Sequence, residues 1–147
     1  MAKESPAIFV VHARAQALDA LEAASRAGRQ VLVLSGKGAG TYAGPAWFAA
    51  LIESARARHP AALSGAILDC GNDAGAVLAA IRAGIEAICY AGPANARRRL
   101  NEIATVKGVS ILARGTLWRR ALDLDRVSAR QRSKACADWI AIRGKRR

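Results

Sequence analysis

The sequence predicts an α/β fold: a five-stranded parallel sheet with helices on both faces, in a flavodoxin-like or Rossmann-like three-layer sandwich, followed by a basic helical segment. Three observations predict it. Five short apolar runs with little polar alternation recur along the chain, as expected of parallel strands whose two faces are both covered. Between them, apolar residues return every three or four positions, the period of a helix with one buried face. Glycine, proline and capping residues stand where these segments meet.

Each element follows from its residues. The first run is 7–11, and Leu18 and Leu21 then mark the buried stripe of a helix that Gly28 closes, because glycine enters the left-handed cap without strain. The second run, 30–34, leads through a glycine-rich loop to a helix carrying Trp47, Phe48, Leu51 and Ile52. Pro45 suits that helix's first turn, where an N–H has no partner to lose, and Pro60 follows its end. The third run, 66–68, precedes Asp73, a short carboxylate suited to cap the helix of Val77, Leu78 and Ile81, which Gly84 ends. The fourth run, 87–90, is followed by Asn95, the expected cap of a helix with Leu100 and Ile103 that stops at Lys107-Gly108. The fifth run is 109–113. Strands alternating with helices specify right-handed crossovers and a parallel sheet. A (β/α) half-barrel is the alternative closure, and it would leave its inner strand face bare without a partner copy.

The 147 residues make one domain, with residues 1–114 as the α/β body and 115–147 as a basic extension packed on it. The net charge is +12, but it is unevenly placed: residues 1–113 hold 12 Lys+Arg against 8 Asp+Glu, and 114–147 hold 11 against 3. That imbalance points to attraction for an acidic protein or nucleic acid through 115–147, with a solvated helix as the alternative. Cys70, Cys89 and Cys136 lie far apart and only His12 and His59 accompany them, so neither a disulfide framework nor a metal site is expected. No apolar stretch approaches the ~20 residues of a membrane span, and the N-terminus lacks a signal-peptide plan. A cytoplasmic protein is expected, and a homodimer is allowed for through the two tryptophans, Trp118 and Trp139, of the C-terminal segment.

In a fold of this kind ligands lie at the carboxyl ends of the strands. The loop Ser35-Gly36-Lys37-Gly38-Ala39-Gly40-Thr41 follows a strand and opens a helix, so Gly36, Lys37, Gly38, Gly40 and Thr41 are expected to cradle an anion. The loop lacks the Gly-Lys-[Ser/Thr] of a P-loop and departs from the dinucleotide fingerprint by one residue. Asn95, Arg97 and Arg114 are expected to add to the anion site. Arginines 97–99 sit where the helix dipole opposes cations, and such conflicts with local rules cluster at functional sites. His12 and Asp69 are the expected acid/base pair, although no Ser or Cys nucleophile motif accompanies them.

Residues 63–92, with Ile67-Leu-Asp69-Cys-Gly71, Ala80-Ile-Arg-Ala-Gly84-Ile85 and Ala87-Ile-Cys-Tyr90, resemble a βαβ unit of (β/α)-barrel aldolases and related phosphate-binding barrels. The resemblance implies an aldolase-like lyase, for which Lys37 is the one lysine placed near a strand end. The strand order also resembles a response-regulator receiver domain, with Asp69 in the place of the phospho-accepting aspartate. There His12-Ala13, Ala91 and Arg114 replace the acidic pair, the Ser/Thr and the Lys of that family, which removes the Mg²⁺ site. The leading expectation is a domain that binds a small anionic ligand, phosphorylated or nucleotide-like, with no cofactor specified. A regulatory module acting through the basic C-terminus and an aldolase-like lyase are the alternatives.

Overall fold

Six parallel strands form one sheet in the computed structural model, which describes residues 5–145. They are β1 (Ala7–Val11), β2 (Val31–Ser35), β3 (Leu63–Asp69), β4 (Ala87–Cys89), β5 (Ser110–Leu112) and β6 (Leu122–Asp123), in the order β5-β4-β3-β2-β1-β6. The α/β class is as expected from sequence, and the sheet gains one strand. β6 is only two residues long, too short to show any period, and it lies in the segment expected to be helical. It pairs with Phe9 and Val10 at the far side of β1.

The helices are α1 (Arg14–Ala27), α2 (Ala39–Tyr42), α3 (Pro45–Arg58), α4 (Ala74–Arg82), α5 (Ala94–Val106) and α6 (Arg132–Lys145), with a 3₁₀ turn at Leu124–Arg126. Gly28 ends α1 in the left-handed region at φ 65° and donates back to carbonyls of the last turn. The Asp73 carboxylate caps α4, accepting from the Ala76 N–H at 3.0 Å. Asn95 is not the cap expected of it. Pro93, with φ −61° and ψ 153°, turns the chain into α5 two residues earlier, so Asn95 lies inside the first turn and accepts from the adjacent Ala96 N–H.

The strand order follows from stepping four times in one direction with right-handed crossovers, which brings successive helices to the same side of the sheet. The three layers are accordingly unequal. One sheet face, with Phe9, Val11, Val33, Leu68 and Ile88, packs in a single cluster with Leu21 of α1, Phe48 of α3, Val77 of α4, Leu100 of α5 and Ile140 of α6. Burying each such large side chain contributes roughly 1.5–3 kcal/mol. The other face, with Ile8, Val10, Leu34, Ile67 and Cys89, is covered by Leu117, Trp118 and Ala121 of the β5–β6 connection. The third layer is therefore a connecting segment where the sequence suggested helices. The strand order is the one a half-barrel would share, opened into a sheet with β5 and β6 at its edges.

Residues 115–145 are built into this body. They supply β6, the buried Leu124, Cys136 and Ile140, and the Trp139 indole N–H, which donates to the Ile8 carbonyl where β6 does not reach. Arg132 ties α6 to Asp19 of α1 at 2.7 Å. Among the described residues, no helix is long and apolar enough to cross a membrane.

Candidate functional site

All βα loops open at the carboxyl edge of the sheet, and there the expected site residues divide into two groups. The first surrounds Asp69, the last residue of β3. Its carboxylate is fully buried. Oδ1 accepts from the Gly38 N–H at 2.8 Å, the Gly71 N–H at 2.9 Å and an Arg114 terminal nitrogen at 2.9 Å, while Oδ2 accepts from Arg114 Nε at 3.0 Å. Burial acts to raise the Asp69 pKa, but the Arg114 guanidinium and the two backbone N–H groups outweigh it and hold the carboxyl below its ordinary value. The same contact raises the Arg114 pKa. Both groups are therefore ionised and mutually satisfied, a charge-assisted bidentate pair that fastens the ends of β2, β3 and β5 together.

This arrangement assigns the glycine-rich loop a structural use. The Gly38 N–H that would face an anion faces Asp69, and Gly38 itself lies at φ 79°. A Cβ on Gly40 would come within 2.6 Å of Cys70 Sγ and 3.2 Å of the Asp69 carbonyl oxygen, so only glycine lets α2 lie this close to β3. The Thr41 hydroxyl donates to Asp73 at 2.8 Å. The thiols of Cys70 and Cys89 are pushed up to about 12, first by burial and then by nearby Asp69, which keeps them protonated and unreactive. Arg97 folds back to donate to the Tyr90 carbonyl at 3.2 Å, and its Nε is buried without a partner.

The second group surrounds His12, just past β1. His12 does not pair with Asp69. Its Nε2 lies 2.8 Å from Asp123 Oδ1 and its Nδ1 lies 3.4 Å from Asp125 Oδ2. Gln16 completes the clasp, accepting from the His12 backbone N–H and donating to Asp125 at 2.8 Å. With both ring nitrogens turned to carboxylates, neither is offered to a substrate in this arrangement. The imidazole leans over Gly36, where a Cβ would come within 2.8 Å of both His12 Cε1 and Tyr42 Oη. Tyr42 is 67% exposed. Its phenol pKa is raised by partial burial and by Asp125, Asp69 and Asp123, so it stays neutral.

Beside His12 a cleft of about 570 Å³ opens at the ends of β1, β2 and β6. Val10, Trp118 and Ala121 form its apolar wall, and Gly36, Lys37, Arg119, Asp123 and Arg126 its polar one. Trp118 is fixed by its indole N–H donating to the Ser35 carbonyl at 2.9 Å. The Ser35 hydroxyl in turn accepts from the Asp69 N–H, which links cleft and carboxylate. Of the expected anion-binding residues, Gly36 and Lys37 line this cleft, whereas Gly38, Gly40, Thr41, Asn95, Arg97 and Arg114 are engaged elsewhere. Nothing in the residue order points to Arg119, Arg126, Asp123, Asp125 or Trp118 as site residues. They lie more than 75 positions from Lys37 in the chain, and β6 together with the connection that packs on the sheet before it brings them there.

Among the described residues, no three His, Cys, Asp or Glu side chains are grouped to hold a metal ion. No protein-family model matches the chain, and no curated protein matches it.

Proposed function

We propose that the protein binds a small anionic ligand, phosphorylated or nucleotide-like, in the cleft at the carboxyl ends of β1, β2 and β6. One observation carries this reading. Lys37, Arg119 and Arg126 line the same cleft and none has an ion-pair or hydrogen-bond partner among the described residues. Every carboxylate on that edge, by contrast, is already engaged: Asp69 by Arg114, Asp73 by Thr41, and Asp123 and Asp125 by His12 and Gln16. Unpaired cations in a concave site with an apolar wall favour an anion carrying a flat or apolar portion. The Lys37 ammonium is exposed, unlike the desolvated lysine that Schiff-base chemistry calls for, so the aldolase-like reading receives no support from this site.

Thermal unfolding with inorganic phosphate, pyrophosphate and nucleoside mono- and diphosphates tests the reading. A ligand at a hundred times its Kd adds about 2.7 kcal/mol of stability, on the order of 8 °C in Tm for a chain of this size. Lys37→Ala, Arg119→Ala and Arg126→Ala should each reduce the shift. An unchanged Tm across the whole series would refute the reading.

A further inference from the structure

The cleft cations are accompanied by further exposed basic residues near the carboxyl edge of the sheet. Six strands at a spacing of ~4.8 Å span roughly 24 Å; Arg119 and Arg126 flank β6 at one end, Lys37 follows β2 near the middle, and Arg98 and Arg99 lie in the second turn of α5, which follows β4, and all five residues are exposed. This is more unpaired charge than a monophosphate needs. Two aromatic side chains accompany it. Trp118 is held rigidly in the cleft wall, and Tyr42, the most exposed aromatic among the described residues, stands at Gly36 next to the cleft.

We propose that the natural occupant of this edge is a single-stranded nucleic acid, with its phosphates along Lys37, Arg119 and Arg126 and a base stacked on Tyr42. This inference rests on the anion-binding reading above and specifies the ligand class. Cations that track a backbone next to aromatic faces are the combination by which single strands are held without sequence preference. A polyanion without bases, such as polyglutamate, would use the cations but has no base to stack on the exposed ring. A duplex would offer phosphates but no free base to stack.

The test is fluorescence anisotropy of the full chain with a labelled oligothymidylate of about 12 nucleotides, repeated over a range of salt concentrations. The strand should bind more tightly than thymidine monophosphate, and the affinity should fall with salt. Lys37→Gln and Arg126→Gln should each weaken binding and flatten the log–log salt slope by about 0.7, the value per phosphate for single strands. Tyr42→Ala should weaken binding about tenfold and leave the slope unchanged, because stacking releases no counterions. Its exposure makes a folding defect unexpected, and an unchanged Tm checks this.

The inference is overturned if the strand binds no more tightly than the mononucleotide, if a duplex or polyglutamate binds as well as the strand, or if Tyr42→Ala has no effect. Should the mononucleotides still raise Tm in those cases, only the strand is excluded and the small-ligand reading stands. Should neither ligand bind, both fall.

Discussion

Two clusters on the same edge of the sheet, adjoining at the loop after β2, use charge in opposite ways. At Asp69 a buried carboxylate accepts four hydrogen bonds, three on Oδ1 and one on Oδ2. In the cleft, Lys37, Arg119 and Arg126 stand exposed with no ion-pair or hydrogen-bond partner among the described residues, and Asp123, which also lines it, is taken by His12. The first arrangement joins three strand ends and leaves nothing over for a ligand. The second contributes little to folding and leaves its charge available. Saturated polar groups hold a structure together, and unsaturated ones at a concave surface mark where something else binds.

Substitution at Asp69 tests the contrast most severely. Asp69→Ala strands the Arg114 guanidinium and the Gly38 and Gly71 N–H groups, and breaking such a pair from one side costs about 3–5 kcal/mol. Because Arg114 is one-third exposed, the lower end, about 3 kcal/mol, is expected from urea unfolding. A loss below about 1 kcal/mol would mean that Asp69 is not the structural member of the comparison.

Overpacking comes next. Gly40→Ala places a methyl 2.6 Å from Cys70 Sγ and close to backbone, and forced adjustment of this kind costs typically 1–3 kcal/mol. A mutant of unchanged stability would show that the loop's glycines are not there for packing and would reopen the phosphate cradle.

Acid should weaken the Asp69 cluster selectively. Its folded pKa is lowered relative to the unfolded chain, where an aspartate titrates near 3.9. The contribution is thus full above about pH 4 and is lost as pH falls through the lowered folded value. Tm measured from about pH 2 to pH 6 should fall less steeply on the acid side for Asp69→Asn than for the parent. Parallel curves would exclude the lowered pKa.

The smallest effect on folding belongs to the cleft. Lys37→Ala and Arg119→Ala should change stability by less than about 0.5 kcal/mol, while blunting any anion-induced rise in Tm. Either substitution unfolding the chain would erase the distinction between the two clusters.

Several parts of this molecule are legible in the residue order. The apolar runs at 7–11 and 109–113 are strands, Asp73 caps α4, Gly28 closes α1, and the α/β class follows from the alternation. Asp69 and His12 stand out correctly as polar residues at strand ends, yet their partners are not the ones expected. The charge excess of 114–147 also changes meaning, since Arg114, Arg132 and Lys134 are taken up by Asp69, Asp19 and Asp138. Arg119 and Arg126 keep their charge for the cleft.

Local period and local sterics were enough to identify the five longer strands, the helices that alternate with them, the caps at Gly28 and Asp73, and the parallel sheet. The chain's long-range packing decided that β6 returns beside β1, that one sheet face is covered by the Leu117–Trp118 connection, that Asp69 meets Arg114 and His12 meets Asp123, and that Lys37 shares a cleft with Arg119 and Arg126. A helix or strand is specified by neighbours a few residues apart. The pairing of charges from residues tens to more than a hundred positions apart depends on where crossovers deliver their ends, and a two-residue edge strand leaves no periodic trace from which that delivery can be read.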